Sequence, residues 1–180
     1  MGVGNLFVGI DLDAETRHGI AASLLNVQLV GSLSPPDNWH LTLRYLGEIL
    51  DVAYDRLLFE LESVVSANPF RLSFAGLGAF PKTSHATVLW MGVYLGEDEL
   101  IMLAHQVDDA CDRAGLDRED RPFVPHLTLS RIRPAADVRV TVEHELAPRV
   151  RLLVDHISVF RSERTDDGMV YSVLDTIDLS

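Results

Sequence analysis

The chain has 180 residues, of which 47% are hydrophobic, and this length is sufficient for one compact globular domain with a substantial core. Its formal net charge of −12 argues against a protein that coats long nucleic acids, because binding to the phosphate backbone requires broad basic surfaces. The single cysteine, Cys111, cannot form an internal disulfide, and no second thiol is available to build a zinc site with it. The apolar stretch at 3–10 is interrupted by Asp11 and follows no basic residue, so we expect neither a signal peptide nor a membrane span, and a cytoplasmic location.

The first half of the chain alternates between strand and helix patterns. Apolar residues recur at every second position over 6–12, which predicts a half-buried strand. Asp13 can cap a following helix, whose apolar stripe extends to Leu29 before Gly31 ends it. The alternation returns over 38–46, and a helical pattern follows over 51–68. The order expected for this half is therefore strand, helix, strand, helix.

The second half combines two predicted hairpins with one helix. Residues 70–80 and 86–95 are typical of two strands joined by a turn, and an acidic start predicts a helix over 97–115. A strand is predicted over 124–133 and a closing hairpin over 150–160 and 169–179, while 137–146 gives no clear pattern. Together the elements favour an α+β fold with helices on the faces of mainly antiparallel sheets.

The tetrapeptide His-Leu-Thr-Leu occurs twice, at 40–43 and at 126–129, each time within a predicted strand. Residues two apart on a strand share a face, so His40 with Thr42, and His126 with Thr128, would line an exposed surface while the leucines pack below. A histidine near neutral pKa can give or take a proton, and a nearby threonine hydroxyl can hydrogen-bond to a phosphoryl oxygen. The repeat predicts two similar lobes that face each other.

Two simpler explanations compete with this interpretation. A single His-x-Thr on a strand is usually just polar sequence on a solvated sheet face, but two identical copies, one in each half, make that explanation much weaker. A metal centre is the other alternative. The remaining histidines show no compact ligand spacing such as His-x-x-x-His, so we expect neither a metal nor a cofactor.

With these residues in view, the chain resembles the two-histidine phosphoesterases, and within them the LigT/ThpR-like RNA 2′,3′-cyclic phosphodiesterases. The resemblance extends over nearly the whole chain. It rests on the segments LFV at 6–8, NWHLTLRYLGE at 38–48, GLGAFP at 76–81, VLWMGV at 88–93, RPFVPHLTLSR at 121–131 and FRSE at 160–163.

The resemblance implies one domain over 1–180 made of two similar lobes. Two pseudo-twofold-related antiparallel sheets would carry helices on their outer faces and enclose a central groove. It also implies roles for the repeated residues: His40 as proton donor to the leaving ribose oxygen, His126 as proton acceptor that activates water, and Thr42 and Thr128 as ligands of the non-bridging phosphate oxygens. The implied reaction is metal-independent hydrolysis of an RNA or nucleotide 2′,3′-cyclic phosphate to a 2′-phosphomonoester.

Five other side chains are candidates for substrate contact or for nothing more than packing. Strict alternation puts Arg131 on the face of the strand opposite His126, so only a bulge or a twist at the end of the strand would bring its guanidinium to the phosphate. Arg44 shares the parity of His40, but at the far end of the strand it can simply reach solvent. Phe7, Phe80 and Trp90 could each stack a nucleobase, although core packing is the more common role of such rings.

Three alternative functions stay open at this point. Two use the same histidine pair: 2′-5′ RNA ligation, and the opening of another cyclic phosphate such as that of ADP-ribose. The third is a non-catalytic nucleotide-binding module. The expected partner is an RNA end or a nucleotide carrying a 2′,3′-cyclic phosphate, and we expect a monomer with no membrane contact and no obligate protein partner.

Overall fold

The computed structural model of this chain describes residues 2–146, 150–166 and 168–180. Its strands are β1 (Gly2–Asp11), β2 (Ser32–Leu33), β3 (His40–Leu50), β4 (Phe70–Phe80), β5 (Ala86–Leu95), β6 (His126–Ala136), β7 (Val150–Val154), β8 (His156–Thr165) and β9 (Gly168–Asp178). Its helices are α1 (Ala14–Ser23), α2 (Asp51–Val64), α3 (Glu97–Ala114) and the short α4 (Arg139–Val142). The α+β class predicted from the sequence is confirmed.

The described strands form a sheet with the order β7-β4-β5-β6-β3-β1-β8-β9, and β2 pairs with β6. All the pairs are antiparallel. The sheet consists of two four-stranded halves, β9-β8-β1-β3 and β6-β5-β4-β7, which meet where Leu41 of β3 pairs with Leu127 of β6. In each half the strand with the His-Leu-Thr-Leu sequence is the innermost one. Its neighbour in the same half is β1 for β3 and β5 for β6, and a helix lies between the two strands in the sequence. The two predicted lobes are thus joined at their inner strands.

Both inner strands contain a β-bulge at the last residue of the repeated tetrapeptide. In β3, Gly9 pairs with Thr42 but Val8 pairs with Arg44, which leaves Leu43 as the extra residue. In β6, Trp90 pairs with Thr128 but Leu89 pairs with Ser130, so Leu129 is the extra residue there. An extra residue reverses the side-chain alternation beyond it. Arg44 and Ser130 are therefore buried, whereas Tyr45 and Arg131 are exposed.

The helices begin where the sequence predicts but two of them end earlier. Asp13 caps α1 by accepting a hydrogen bond from the backbone N–H of Thr16 at 2.6 Å. The prediction that the first helix extends to Leu29 is wrong, because α1 ends at Ser23. The chain forms a turn there, in which the Leu24 N–H donates to the carbonyl oxygens of both Ile20 and Ala21. Helix α2 ends at Val64 rather than at residue 68. Helix α3 ends at Ala114, followed by Gly115 in the left-handed conformation at φ 81°.

The predicted strand over 150–160 is in fact two strands. Its first part, β7, pairs with β4 in one half of the sheet, and its second part, β8, pairs with β1 and β9 in the other half. The break lies at Asp155, whose carbonyl accepts the N–H of Leu179 at 2.8 Å. The chain changes halves here, so the continuous apolar pattern hides the break. The closing hairpin itself, β8–β9, is as predicted.

A large cluster of buried apolar side chains draws on both halves of the sheet and on helices α1, α2 and α3. The four leucines of the repeated tetrapeptides belong to it, with exposed fractions of 5% or less: Leu41, Leu43, Leu127 and Leu129. These leucines fix the orientation of the neighbouring polar residues, which must point to the other face. Among the described helices, none is long and apolar enough to cross a membrane.

Candidate active site

The two repeated histidines are the first residues of the two strands that meet at the centre of the sheet, β3 and β6. Because Leu41 pairs with Leu127 in antiparallel register, His40 lies opposite Thr128 and Thr42 lies opposite His126. All four side chains are partly buried and point away from the core. The structure therefore brings the two histidines and the two threonines together on one face.

Each histidine ring is held in the same way by a backbone carbonyl two residues earlier. The Nδ1 atom of His40 lies 2.8 Å from the carbonyl oxygen of Asn38, and Nδ1 of His126 lies 2.6 Å from that of Val124. A carbonyl oxygen can only accept, so Nδ1 carries the proton in both rings. In the neutral form Nε2 is then an unprotonated base, and in the charged form it is an acid.

Burial lowers the pKa of both imidazoles below the ordinary value, although the hydrogen bond to each carbonyl acts in the opposite direction. The positive charges of His126 and Arg131 also lower the pKa of His40, and Arg131 lowers that of His126. The positive charge of Arg131 therefore acts on both imidazoles, which places it close to the histidine pair. Because both pKa values are lowered, the state in which one imidazole is charged and the other is neutral is populated at lower pH than it would be for two ordinary histidines.

Aromatic rings fix the His40 side of the site. The ring of Phe7 lies 4.6 Å from that of His40 and stacks on Phe160 at 4.8 Å. Tyr171 meets His40 edge-on, with centroids 4.8 Å apart and planes at 70°. Phe7 is only 3% exposed, so its ring forms the wall behind His40 and offers no free face to a nucleobase.

The His126 side has its own aromatic pair. Phe80 contacts His126 edge-on at 5.0 Å, and Trp90 lies 6.2 Å from the same ring. Gly78 makes room for this indole, because a Cβ at that position would lie 2.2 Å from the Trp90 ring. Phe80 and Trp90 are both partly exposed, unlike Phe7. They are therefore the rings that can present a face to a nucleobase.

The bulge at Leu129 decides the position of Arg131. It moves Arg131 to the face that carries His126 and Thr128, where its charge acts on both histidines and on Tyr171. The parallel expectation for Arg44 is wrong, because the bulge at Leu43 turns it inward to 6% exposure and onto Asp108 of α3. The same displacement thus brings one arginine to the site and removes the other.

Sequence analysis assigned no role to three residues that shape the His40 side, namely Asn38, Phe160 and Tyr171. Phe160 and Tyr171 lie in the β8–β9 hairpin, more than a hundred residues after His40, and no local pattern connects them with it. Asn38 could have been found, since it stands two residues before a catalytic candidate. Across the described ranges, no group of three or more His, Cys, Asp or Glu side chains could hold a metal ion.

Comparison with known proteins gives consistent results. The family model of the 2′-5′ RNA ligase superfamily matches residues 33–166. The chain is 31% identical over 159 residues to an RNA 2′,3′-cyclic phosphodiesterase of Aquifex aeolicus, covering 84% of this chain and 83% of that protein. It is 36% identical over 130 residues to the protein of the same name from Archaeoglobus fulgidus, covering 71% and 72%.

Solved structures agree over almost the whole chain. The crystal structure of Escherichia coli LigT with 3′-AMP superposes with a TM-score of 0.86 at 25% identity, covering 100% of this chain and 99% of that one. The same protein in apo form gives a TM-score of 0.84 at 26% identity, covering 98% of both chains.

Proposed function

Because the chain belongs to the 2′-5′ RNA ligase superfamily of two-histidine phosphoesterases, we propose that it hydrolyses RNA or nucleotide 2′,3′-cyclic phosphates to 2′-phosphomonoesters. The observation that carries the proposal is the meeting of His40 and His126 at the junction of β3 and β6, each with Nδ1 held and Nε2 free for proton transfer. The relatives named RNA 2′,3′-cyclic phosphodiesterase supply the substrate class.

The proposed reaction is a single in-line displacement at phosphorus. Water attacks opposite the 3′ oxygen, and the neutral Nε2 of His126 takes a proton from it. The bond from phosphorus to the 3′ oxygen breaks, and the protonated Nε2 of His40 delivers a proton to that oxygen. The product carries a 2′-phosphate, and the starting state is restored when His126 releases its proton to solvent and His40 takes one up from it.

Thr42 and Thr128 are proposed to hold the non-bridging oxygens. Each lies opposite a histidine of the other strand, so a phosphate between the two imidazoles would have one hydroxyl on each side. Arg131 adds a positive charge on the same face, where an anionic phosphate needs it because the whole chain carries −12. Phe7 supports the ring of His40, and the proposed chemistry requires no metal or cofactor.

The proposed partner is an RNA end or a nucleotide that carries the cyclic phosphate. The expectations of a monomer, of no obligate protein partner and of a cytoplasmic location stay predictions. The family match also favours a second candidate, 2′-5′ RNA ligation, in which a 5′-hydroxyl replaces water as the nucleophile. The same two histidines would serve, because the attacking group again loses a proton and the leaving oxygen again gains one.

The decisive experiment uses an oligonucleotide that ends in a 2′,3′-cyclic phosphate, incubated with the protein in the presence of EDTA. The expected product is a terminal 2′-phosphate, identified by its resistance to an enzyme that removes only 3′-phosphates. His40→Ala and His126→Ala should each lower the rate by about 10² to 10⁴. His18→Ala, which changes an exposed histidine on α1, is the matched control and should retain the rate of the wild type. A 3′-phosphate product, or full activity in both variants, would refute the mechanism.

Product analysis separates the remaining candidates. An added oligonucleotide with a 5′-hydroxyl end should yield a longer product only if ligation occurs. A parallel assay with ADP-ribose cyclic phosphate tests the other substrate. Binding of a nucleotide without turnover, measured by calorimetry beside the hydrolysis assay, would identify a non-catalytic module.

A further inference from the structure

The two halves of the sheet are alike around the histidines but differ at their outer edges. The outer strand of the His126 half, β7, has 5 residues, whereas that of the His40 half, β9, has 11. The longer β9 carries Tyr171 to the ring of His40, and within the described part of the chain no residue of β7 makes a ring contact with His126. The β8–β9 hairpin therefore builds a wall on one side of the site only.

Tyr171 lies in this wall beside the ring of His40. Its ring meets His40 at 4.8 Å and meets Phe7 edge-on at 5.5 Å and 88°. Burial raises the pKa of its phenol, while the positive charge of Arg131 acts in the opposite direction. Arg131 lies on β6, in the other half of the sheet, so Tyr171 is near enough to that half for the guanidinium charge to act on the pKa of its phenol.

The hydroxyl of Tyr171 is available to a ligand. Among the residues that the structure describes, no group hydrogen-bonds to it, although the ring itself is fixed by its aromatic neighbours. Because its pKa is raised, the phenol stays protonated and able to donate over the whole range in which the histidines titrate. A fixed ring with an unpartnered hydroxyl at the border of a site is suited to ligand binding at little entropic cost.

A hydrogen bond ties this wall to the residue that holds His40. The side-chain Nδ2 of Asn38 donates to the carbonyl oxygen of Met169 on β9 at 2.8 Å, and the backbone carbonyl of Asn38 accepts the Nδ1 proton of His40. His40 and Tyr171 are thus positioned through a common support. The nucleoside oxygen that His40 protonates would lie within the same neighbourhood as the phenol.

We propose that Tyr171 is a further substrate-contacting residue, whose hydroxyl donates a hydrogen bond to the ribose on the His40 side of the phosphate. This proposal rests on the proposed function, which places the leaving 3′ oxygen beside His40. It makes Tyr171 a determinant of substrate preference that distinguishes a nucleoside cyclic phosphate from a phosphodiester without a sugar.

The test is Tyr171→Phe, which keeps the ring contacts with His40 and Phe7 and removes only the hydroxyl. With a nucleoside 2′,3′-cyclic monophosphate we expect KM to rise roughly tenfold while kcat changes by less than about twofold, because one hydrogen bond in the ground state and the transition state is lost. With bis(nitrophenyl) phosphate, which has no ribose, KM should not change. Tyr94→Phe is the matched control, since Tyr94 is exposed at the end of β5 and contacts neither histidine ring.

An unchanged KM for the nucleoside substrate would overturn the proposal. An equal increase in KM for both substrates would also overturn it, because the hydroxyl would then act through His40 and not through the ribose. A direct binding experiment separates this failure from failure of the proposed function. Calorimetry should show that Tyr171→Phe binds a nucleoside 2′-monophosphate roughly tenfold more weakly but binds inorganic phosphate as the wild type does. This binding comparison decides the role of Tyr171 even if the wild type hydrolyses no cyclic phosphate.

Discussion

The bulge in β6 allows a specific prediction for Arg131, because it places a positive charge that acts on both histidines and would act on the phosphate of the proposed substrate. Arg131→Met keeps the length of the side chain and removes the charge. Since the residue is exposed, the change should not affect folding. Its consequences should appear in catalysis alone, in two separate measurements.

The first measurement is substrate affinity. A hydrogen bond to a charged oxygen is worth about 1.5 to 3 kcal/mol, and solvent around an exposed guanidinium reduces this toward the lower limit. KM should therefore rise about tenfold. The wild-type KM should also increase with salt more steeply than that of the variant, because screening weakens an attraction that the variant has already lost.

The second measurement is the pH profile of kcat/KM, which should be bell-shaped because the reactive form needs one imidazole neutral and the other charged. The charge of Arg131 lowers the pKa of both His40 and His126, so its removal lets both rise. Both limbs of the bell should move to higher pH. Arg133→Met is the control. It removes an exposed charge from the same strand, and this charge does not contribute to the pKa shift of either histidine. An unmoved bell together with an unchanged KM would refute the placement of Arg131 in the site.

Two further predictions concern the threonines and a histidine outside the site. Thr42→Val and Thr128→Val should each lower kcat/KM by about 10- to 100-fold without a change in the unfolding midpoint. Thr165→Val is the control and should have no effect on turnover. Normal rates in Thr42→Val and Thr128→Val would show that these hydroxyls do not contact the phosphate. Burial acts against the charged form of His156, but its hydrogen bonds to Asp155 and Asp11 raise its pKa above the ordinary value. His156 therefore adds stability below about pH 6.5 that is lost as the pH rises through its folded pKa. His156→Gln should lower the free energy of unfolding by roughly 1 kcal/mol below about pH 6.5 and by less at alkaline pH. An equal loss at both pH values would show that protonation of His156 does not stabilise the fold.

Local patterns were sufficient to predict most elements and the core faces. The hairpin over 70–80 and 86–95 has the predicted bounds because Pro81 interrupts a clear alternation, and Gly115 ends α3 through its left-handed backbone. The repeated tetrapeptide predicted that the leucines of each inner strand face the core and that the histidine and threonine share the other face, but it did not predict that Leu41 pairs with Leu127. Where sequence and structure agree, a residue's role follows from its immediate neighbours.

Long-range pairing explains the disagreements. The extra residues Leu43 and Leu129 look like ordinary members of an alternating strand, and they become bulges only through the registers that β1 and β5 impose. The break at Asp155 has the same origin, because β7 and β8 pair with different halves of the sheet. Tyr171 reaches His40 only through the path of the final hairpin. In each case the deciding partner is distant in sequence.

Arg44 gives the sharpest test of this reasoning, because the bulge at Leu43 turns an expected surface residue into a buried one. Its guanidinium donates to Asp108 of α3 at 3.1 Å and to the backbone carbonyl of Asp117, at 6% exposure. Removing one partner of a buried ion pair costs about 3 to 5 kcal/mol, and the partial exposure of Asp108 reduces this to about 2 to 3 kcal/mol for Arg44→Met.

Burial already raises the pKa of the Asp108 carboxyl despite the arginine beside it, and loss of that arginine raises the pKa further. The ionised carboxylate is therefore what destabilises Arg44→Met, and the loss should shrink as the pH falls and Asp108 takes up a proton. Asp108→Asn in the same chain should restore much of the stability at neutral pH. Urea unfolding of the two variants at acidic and neutral pH measures both effects. A loss below about 0.5 kcal/mol, which is the range of ordinary surface substitutions, would mean that Arg44 lies at the surface after all.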